Sequence, residues 1–422
     1  MATDKNAVPE IRFKGFTDAW VLRRLGDAVE KQKSYSLSRD VETTDTTGYR
    51  YIHYGDIHKQ VADIITHDEQ LPMIKAGDYI PIVQGDLVLA DASEDYTGIA
   101  EPCVVLHTPN DKIVAGLHTI AIRPIDTNSL FLYHLFHTDG FKKFGGHVGT
   151  GLKVFGITFT NLAKYDMNIP TLPEQTSIGT FFRTLDSCIE INQRKHDNLK
   201  KLKAAYLQQM FPQAGESVPR VRFEGFTGEW TTVKLGDVVE KLKSYSLSRD
   251  VETKDMTGYR YIHYGDIHKQ VADIISSDEQ LPRIKIGDYI PLQQYDLVLA
   301  DASEDYVGIA EPCIILHDPK ERLVAGLHTI AIRPIGTDSL FLYHLFHTDG
   351  FRKFGGFVGT GLKVFGITFT NLSKYEMGLP SLEEQTAIGE FFHKLDTQII
   401  THEQKIEQAK QLKAAYLQKM FV

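Results

Sequence analysis

Two histidine pairs invite a metal reading. His53 and His58 flank Asp56, and His134 and His137 stand at i, i+3 spacing; imidazoles and carboxylates are ordinary zinc ligands. No third ligand at zinc-like spacing follows either pair, so satisfied turn or helix-face histidines are the better reading and no metal is expected. A nuclease-like string, Asp250-Val-Glu-Thr-Lys254, has no counterpart in the first half of the chain, where Thr44 replaces the lysine. It reads as a solvated loop. Two other segments suit contact with a nucleic acid. Gly149-Thr150-Gly151-Leu-Lys153-Val-Phe155 is a glycine-rich loop whose amides and Thr150 hydroxyl can approach phosphate while Lys153 supplies charge. A plain glycine turn before a strand is the alternative. In the run Tyr49-Arg50-Tyr51-Ile52-His53-Tyr54, an extended backbone puts Tyr49, Tyr51 and His53 on one face and Arg50, Ile52 and Tyr54 on the other. Arginine is the side chain most often paired with guanine in the major groove, and a half-buried strand with aromatic packing is the competing reading. Lys33 and Tyr35 join these candidates, with Lys31, Lys142 and Lys143 as further cations for phosphate. Asp91-Ala-Ser-Glu-Asp95 is acidic and suits a structural turn or a face for a basic partner.

Every one of these segments is written twice. Val8-Pro9 returns as Val218-Pro219, and the offset of 210 residues holds without a gap to Val422. The candidate contacts therefore recur as Lys243, Tyr245, Tyr259, Arg260, Tyr261, His263 and Tyr264, and as Gly359, Thr360, Gly361, Lys363 and Phe365. A period this long is a domain duplication, not a solenoid. Within each copy, short β-branched and aromatic runs such as Leu87-Val-Leu-Ala90, Cys103-Val-Val-Leu106 and Thr119-Ile-Ala-Ile122 are punctuated by Gly, Pro and Asp and read as strands. One helix is expected over Ser129 to Phe144. The fold class is α+β.

After Pro170 the texture becomes helical. Thr171-Leu-Pro-Glu174 and Ser381-Leu-Glu-Glu384 have the form of capping boxes. Apolar residues then recur largely at three- and four-residue steps: Ile178, Phe182, Leu185, Ile189, then Leu199, Leu202, Tyr206 and Met210, with Ile388, Phe392, Leu395, Ile399, Ile406, Leu412, Tyr416 and Met420 in the second copy. Each helix would span roughly 37 residues, about 55 Å at 1.5 Å per residue. A single apolar stripe of that length needs a partner, and the obvious one is its own copy. Two near-identical stripes close around a two-fold axis, so the helices are expected to run antiparallel and to hold two globular domains at the ends of a pseudo-two-fold rod. The expected boundaries are 1–170 for the first domain, 171–217 for its helix and linker, 218–380 for the second domain and 381–422 for its helix.

Val8-Pro-Glu-Ile-Arg-Phe-Lys-Gly-Phe-Thr17, Trp20 and Leu25-Gly-Asp27, with their repeats Val218 to Thr227, Trp230 and Leu235-Gly-Asp237, resemble the start of a target recognition domain of the DNA specificity subunit of type I restriction-modification systems. Ile169-Pro-Thr-Leu-Pro-Glu-Gln175 and Leu379-Pro-Ser-Leu-Glu-Glu-Gln385, each ahead of a long helix, resemble its close. The resemblance covers essentially the whole chain. It implies a non-catalytic subunit that reads a bipartite site in double-stranded DNA and carries two modification (methyltransferase) subunits, with restriction subunits joining through them. The phosphate loop and the Asn/Asp-Pro-Pro-aromatic tetrad expected of those partners are both missing here. No cofactor is expected.

Composition fits without deciding. The 422 residues carry 46 Lys+Arg against 55 Asp+Glu, a net charge of −9 that gives no global footprint for nucleic acid. That charge favours the competing reading, a protein-binding scaffold with two equivalent docking sites. Three cysteines without Cys-x-x-Cys spacing are read as free thiols. Neither a signal peptide nor a membrane span is apparent, so a cytoplasmic protein with no membrane partner is expected.

Overall fold

The computed structural model describes residues 8–95, 98–151, 154–277, 280–304, 308–361 and 365–422. The chain divides into two compact units, one made of Met1–Gln193 with Gln404–Val422 and the other of Arg194–Glu403.

A five-stranded sheet organises each unit. In the first its order is Val29–Lys31, Thr119–Pro124, Leu87–Ala90, Pro102–Val105 and Ile64–Ile65, antiparallel throughout except for the last pair. The second unit repeats it with Val239–Lys241, Thr329–Pro334, Leu297–Ala300, Pro312–Ile315 and Ile274–Ile275. Alternation along the central strand sends Leu87 and Leu89 into one core with Ile120, Ile122, Phe131 and Phe182. Val88 and Ala90 enter another core with Ile52, Ile57, Cys103 and Ile113. Both faces are covered, which is why this strand reads as an unbroken apolar run. Each large side chain so buried stabilises the fold by about 1.5–3 kcal/mol. Cys103 and Cys313 are buried free thiols, and Cys188 is an exposed one.

The single helix expected over Ser129 to Phe144 is two helices, Ser129–Phe136 and Asp139–Val148. Thr138 breaks the run: its hydroxyl donates to the Leu135 carbonyl (2.7 Å) and accepts from the Phe141 amide (3.4 Å), capping the second helix.

The long helices run from Leu172 to Gln209 and from Leu382 to Met420. In the first unit Phe181 meets Tyr416 (ring centroids 5.1 Å apart), Asp186 pairs with Lys413 (2.5 Å), and Phe421 enters the core beside Phe131 and Phe182. In the second unit Phe391 meets Tyr206 (5.1 Å), Asp396 pairs with Lys203 (2.5 Å), and Phe211 lies beside Phe341 and Phe392. Rising numbers on one helix meet falling numbers on the other, as expected of antiparallel helices. The contacts repeat in the second unit with the copies of the same residues. Gly179 lets the helix seat against the domain, for a Cβ there would fall 2.7 Å from Leu130 Cβ and 3.0 Å from the Phe131 amide nitrogen.

Neither capping box closes. The Ser381 hydroxyl accepts from the Glu384 amide (3.3 Å), but the Glu384 carboxylate takes a fork from Arg222 (2.6 and 2.7 Å), as Glu174 does from Arg12 (2.6 and 2.7 Å). A buried carboxylate gains more from a bidentate guanidinium than from a backbone amide. Among the described residues no helix is long and apolar enough to cross a membrane.

His134 and His344 are buried against Asp186 and Asp396. Burial, and next the nearby Lys413 or Lys203, hold both imidazoles well below the usual 6.5, and burial brings His347 down to about 3. Such a group is neutral in the folded chain while the unfolded chain takes up a proton below pH 6.5. Its stabilisation is complete above that pH and is lost as pH falls through 6.5 toward the folded value, at about 1.4 kcal/mol per unit. In urea unfolding, His344→Phe should therefore gain on the native protein by that amount per pH unit between 6.5 and 5; a constant difference would contradict it.

Candidate nucleic-acid interface

At the carboxyl end of Leu87–Ala90 the chain opens into a cleft of about 860 Å3, bordered by Tyr54, Lys59, Gln60, Asp95, His118 and Lys142 among others. The corresponding cleft of the second unit, about 660 Å3, is bordered by Tyr264, Lys269, Gln270, His328 and Arg352. Its floor is a short helix, Tyr54–His58, that the sequence did not announce. His53 begins it: the Nδ1 atom accepts from the Gly55 amide (3.1 Å) while the His53 amide donates to Asp56 (3.1 Å). Burial lowers the His53 pKa, and the Arg39 charge adds to the effect. Asp56 is held by Arg39 (2.7 Å). His58 Nε2 donates to the Ala92 carbonyl (2.8 Å), and His137 turns toward Glu101 (3.4 Å). The histidine pairs thus serve turns and ion pairs, and His263 and Asp266 repeat the arrangement.

The glycine loop lies against the same rim. Gly149 follows the helix Asp139–Val148, Thr150 bridges to Gly156, and Phe155–Gly156 pairs with Ala92–Ser93. Gly151 has φ +133°, and a Cβ there would stand 1.9 Å from the Val154 carbonyl oxygen, so the turn admits only glycine. Gly359, Thr360, Gly361 (φ +141°) and Phe365 repeat these positions. Lys153 and Lys363 lie outside the described residues. The acidic string Asp91 to Asp95 is thus the strand onto which this loop docks, with Asp91 pairing His118 (3.1 Å).

The tyrosine run divides. Tyr49–Ile52 is a strand parallel to Lys112–Ala115. Tyr51 is fully buried and donates to Glu42 (2.8 Å), and burial together with that carboxylate raises its phenol above the ordinary value; Tyr261 does the same with Glu252 (2.9 Å). Arg50 is committed inward to Asp111 (2.7 Å) and the Leu71 carbonyl, and Arg260 to Glu321 (3.1 Å) and the Leu281 carbonyl. Tyr49 accepts from Lys112 (3.0 Å) and packs edge-on to Tyr79, as Tyr259 does to Tyr289. Tyr35 and Tyr245 accept from the amides of Ile80 and Ile290 (2.7 Å each). Lys33 and Lys243 are exposed, each 4.9 Å over the tyrosine two residues on. Of the whole run, His53 and Tyr54 border the cleft in the first unit and Tyr264 in the second. The nuclease-like string is used structurally: Glu252 is paired with Arg249 (2.7 Å) and Asp250 accepts from Ser248.

Sequence reading missed Lys59, Gln60 and His118. Gln60 (φ 57°) and His118 (φ 54°) are non-glycine residues in the left-handed region, as are Gln270 (φ 56°) and His328 (φ 55°). Such strain costs about 1–3 kcal/mol and collects at functional sites. Only the fold brings these residues to one rim; Lys59-Gln60, standing five residues beyond the tyrosine run, was the one signal available.

Comparison with curated proteins gives no match. The chain is similar over 99% of its length to the S subunit of a type I restriction-modification system from M. genitalium, with a TM-score of 0.63, 10% identity and 99% of that chain covered. Weaker likenesses are to the HsdS subunit from Thermoanaerobacter tengcongensis (TM-score 0.41, 18% identity, 95% and 96% covered) and to a chain in a structure of type I R-M complex assembly and conformational transition (0.48, 18%, 96% and 98%). Residues 17–201 and again 227–411 match the type I restriction modification DNA specificity domain, most of the chain in two tandem copies, and the protein belongs to that family of specificity subunits.

Proposed function

We propose that this chain reads a bipartite DNA site with its two clefts and docks two modification subunits, one for each copy of the repeat, with restriction subunits joining through them. It contributes recognition and no catalysis. The observation that carries the reading is the doubled cleft. Arg39, His53, Tyr54, Lys59, Gln60, Glu94, Asp95 and His118 all recur unchanged 210 residues on, and Lys142 becomes Arg352. Near-identical readers imply near-identical half-sites, and readers related by a protein two-fold axis would meet DNA in opposite orientation. The target is then an interrupted palindrome with an adenine methylated on each strand.

The scaffold reading keeps one argument, since Glu94, Asp95 and Glu101 border the first cleft beside the cations. Salt dependence of binding separates the two. With its methyltransferase partner present, the chain should retard a duplex bearing its site. Lys59→Ala with Lys269→Ala should then lower the slope of log affinity against log salt by about two, each lost phosphate contact being worth near one. An unchanged slope would assign the clefts to a protein partner.

A further inference from the structure

The two readers differ in chemistry at several exposed positions, and one of them, His147/Phe357, lies on the helix that lends Lys142 or Arg352 to the cleft. The helix Asp349–Val358 buries Phe351 and Gly355, the latter against Ile309, and presents Arg352 to the cleft. Lys353 and Phe357, four residues apart on one face, both point to solvent. Phe357 is 89% exposed, the most exposed large apolar side chain among the described residues, and Gly359 and Thr360 of the glycine loop follow it directly. In the first unit the same place, also exposed and beside Lys143, is held by His147. The other clustered differences, Val83/Gln293 and Gly85/Tyr295, precede the strands Leu87–Ala90 and Leu297–Ala300, whereas the clefts open beyond their far ends. Those positions are removed from the reading rim.

We propose that Phe357 and His147 make the two domains read one base pair differently: Phe357 packs on the C5 methyl of a thymine in its half-site, and His147 donates a hydrogen bond to a purine N7 at the corresponding place. The inference rests on the DNA-reading function above. A phenylalanine ring cannot satisfy a base acceptor and gains only by covering apolar surface, and the thymine methyl is the one apolar group on the major-groove edge. Lys353, one turn earlier on the same face, supplies charge that holds a phosphate backbone against it, while Arg352 faces the cleft.

The test uses the full chain with its methyltransferase partner and duplexes carrying the methylated site, each thymine in turn replaced by deoxyuridine, which lacks only the methyl. Native protein should lose about 5-fold in affinity or more at one uridine of one half-site. Phe357→His should abolish that loss and make the half-sites equivalent, and His147→Phe should create it in the other half. Folding is not at issue, since each variant installs the residue its own repeat already carries. A Phe357→His complex with the native preference at every position, or a native target that is a perfect inverted repeat, overturns the inference and leaves DNA reading intact. A native complex that fails to distinguish its methylated site from a scrambled duplex overturns both.

Discussion

Arg12→Ala should destabilise the first unit by about 3–5 kcal/mol, and Arg222→Ala the second unit by as much. Glu174 and Glu384 have side chains 0% and 1% exposed, and each takes its two charge-assisted bonds from one guanidinium. Removing the arginine leaves a buried carboxylate with no counter-charge, which costs far more than an exposed ion pair is worth. Arg12 also donates to the Asp18 carbonyl (2.6 Å), and the neighbouring Ile11 amide donates to Lys419 O (2.9 Å), so this short segment ties the start of one long helix and the end of the other to the domain. Arg12→Lys should fall between, because a point charge cannot reproduce the fork. Replacing both partners, Arg12→Leu with Glu174→Met, should restore most of the loss, since no charge remains buried. Urea unfolding of the four proteins checks this. A loss under 1 kcal/mol for Arg12→Ala would show that Glu174 finds water or another cation.

The second large effect falls on the helices. Leu185 packs on the first core and Leu395 is 7% exposed within the second. Leu185→Asp with Leu395→Asp places a carboxylate in each seam, one position from Asp186 or Asp396, whose cations Lys413 and Lys203 are already taken. Burying an unpaired charge costs several kcal/mol. The sheets draw their stability from Leu87, Val88, Leu89 and their neighbours and should persist. If the helices set the spacing of the half-sites, the double variant should accept sites of several spacer lengths where the native protein accepts one. A double variant still confined to a single spacer would show that these helices do not set the distance.

What the sequence disclosed and what it hid have physical causes. The long helices were legible because apolar residues at helical spacing, with no proline after the first turn, continue over more than thirty residues. The central strands were legible because burial on both faces leaves no polar residue in them. The break at Thr138 was hidden, since apolar residues continue on both sides of it and a single threonine decides whether it caps a helix or sits inside one. Arg50 illustrates the harder limit. Its type and place in an alternating run suited base contact, but Asp111, 61 residues away, decides where its guanidinium points. The cleft was illegible for the same reason, being assembled from Tyr54, Gln60, Asp95, His118 and Lys142 only once the sheet has formed. The duplication, by contrast, was plain in the letters, and the likeness of the two clefts follows from it.

Mapping methylated adenines genome-wide in cells that carry this chain with its methyltransferase partner tests the central claim most directly. On the proposed function, two nearly identical readers call for an interrupted inverted repeat, with an adenine methylated on each strand and half-site centres near one helical turn, about 10 base pairs, apart. The half-sites should obey inversion at every position but the one assigned to Phe357 and His147. Half-sites unrelated by inversion at more than one position would contradict the account, for the near-identity of the two domains would then not govern what they read.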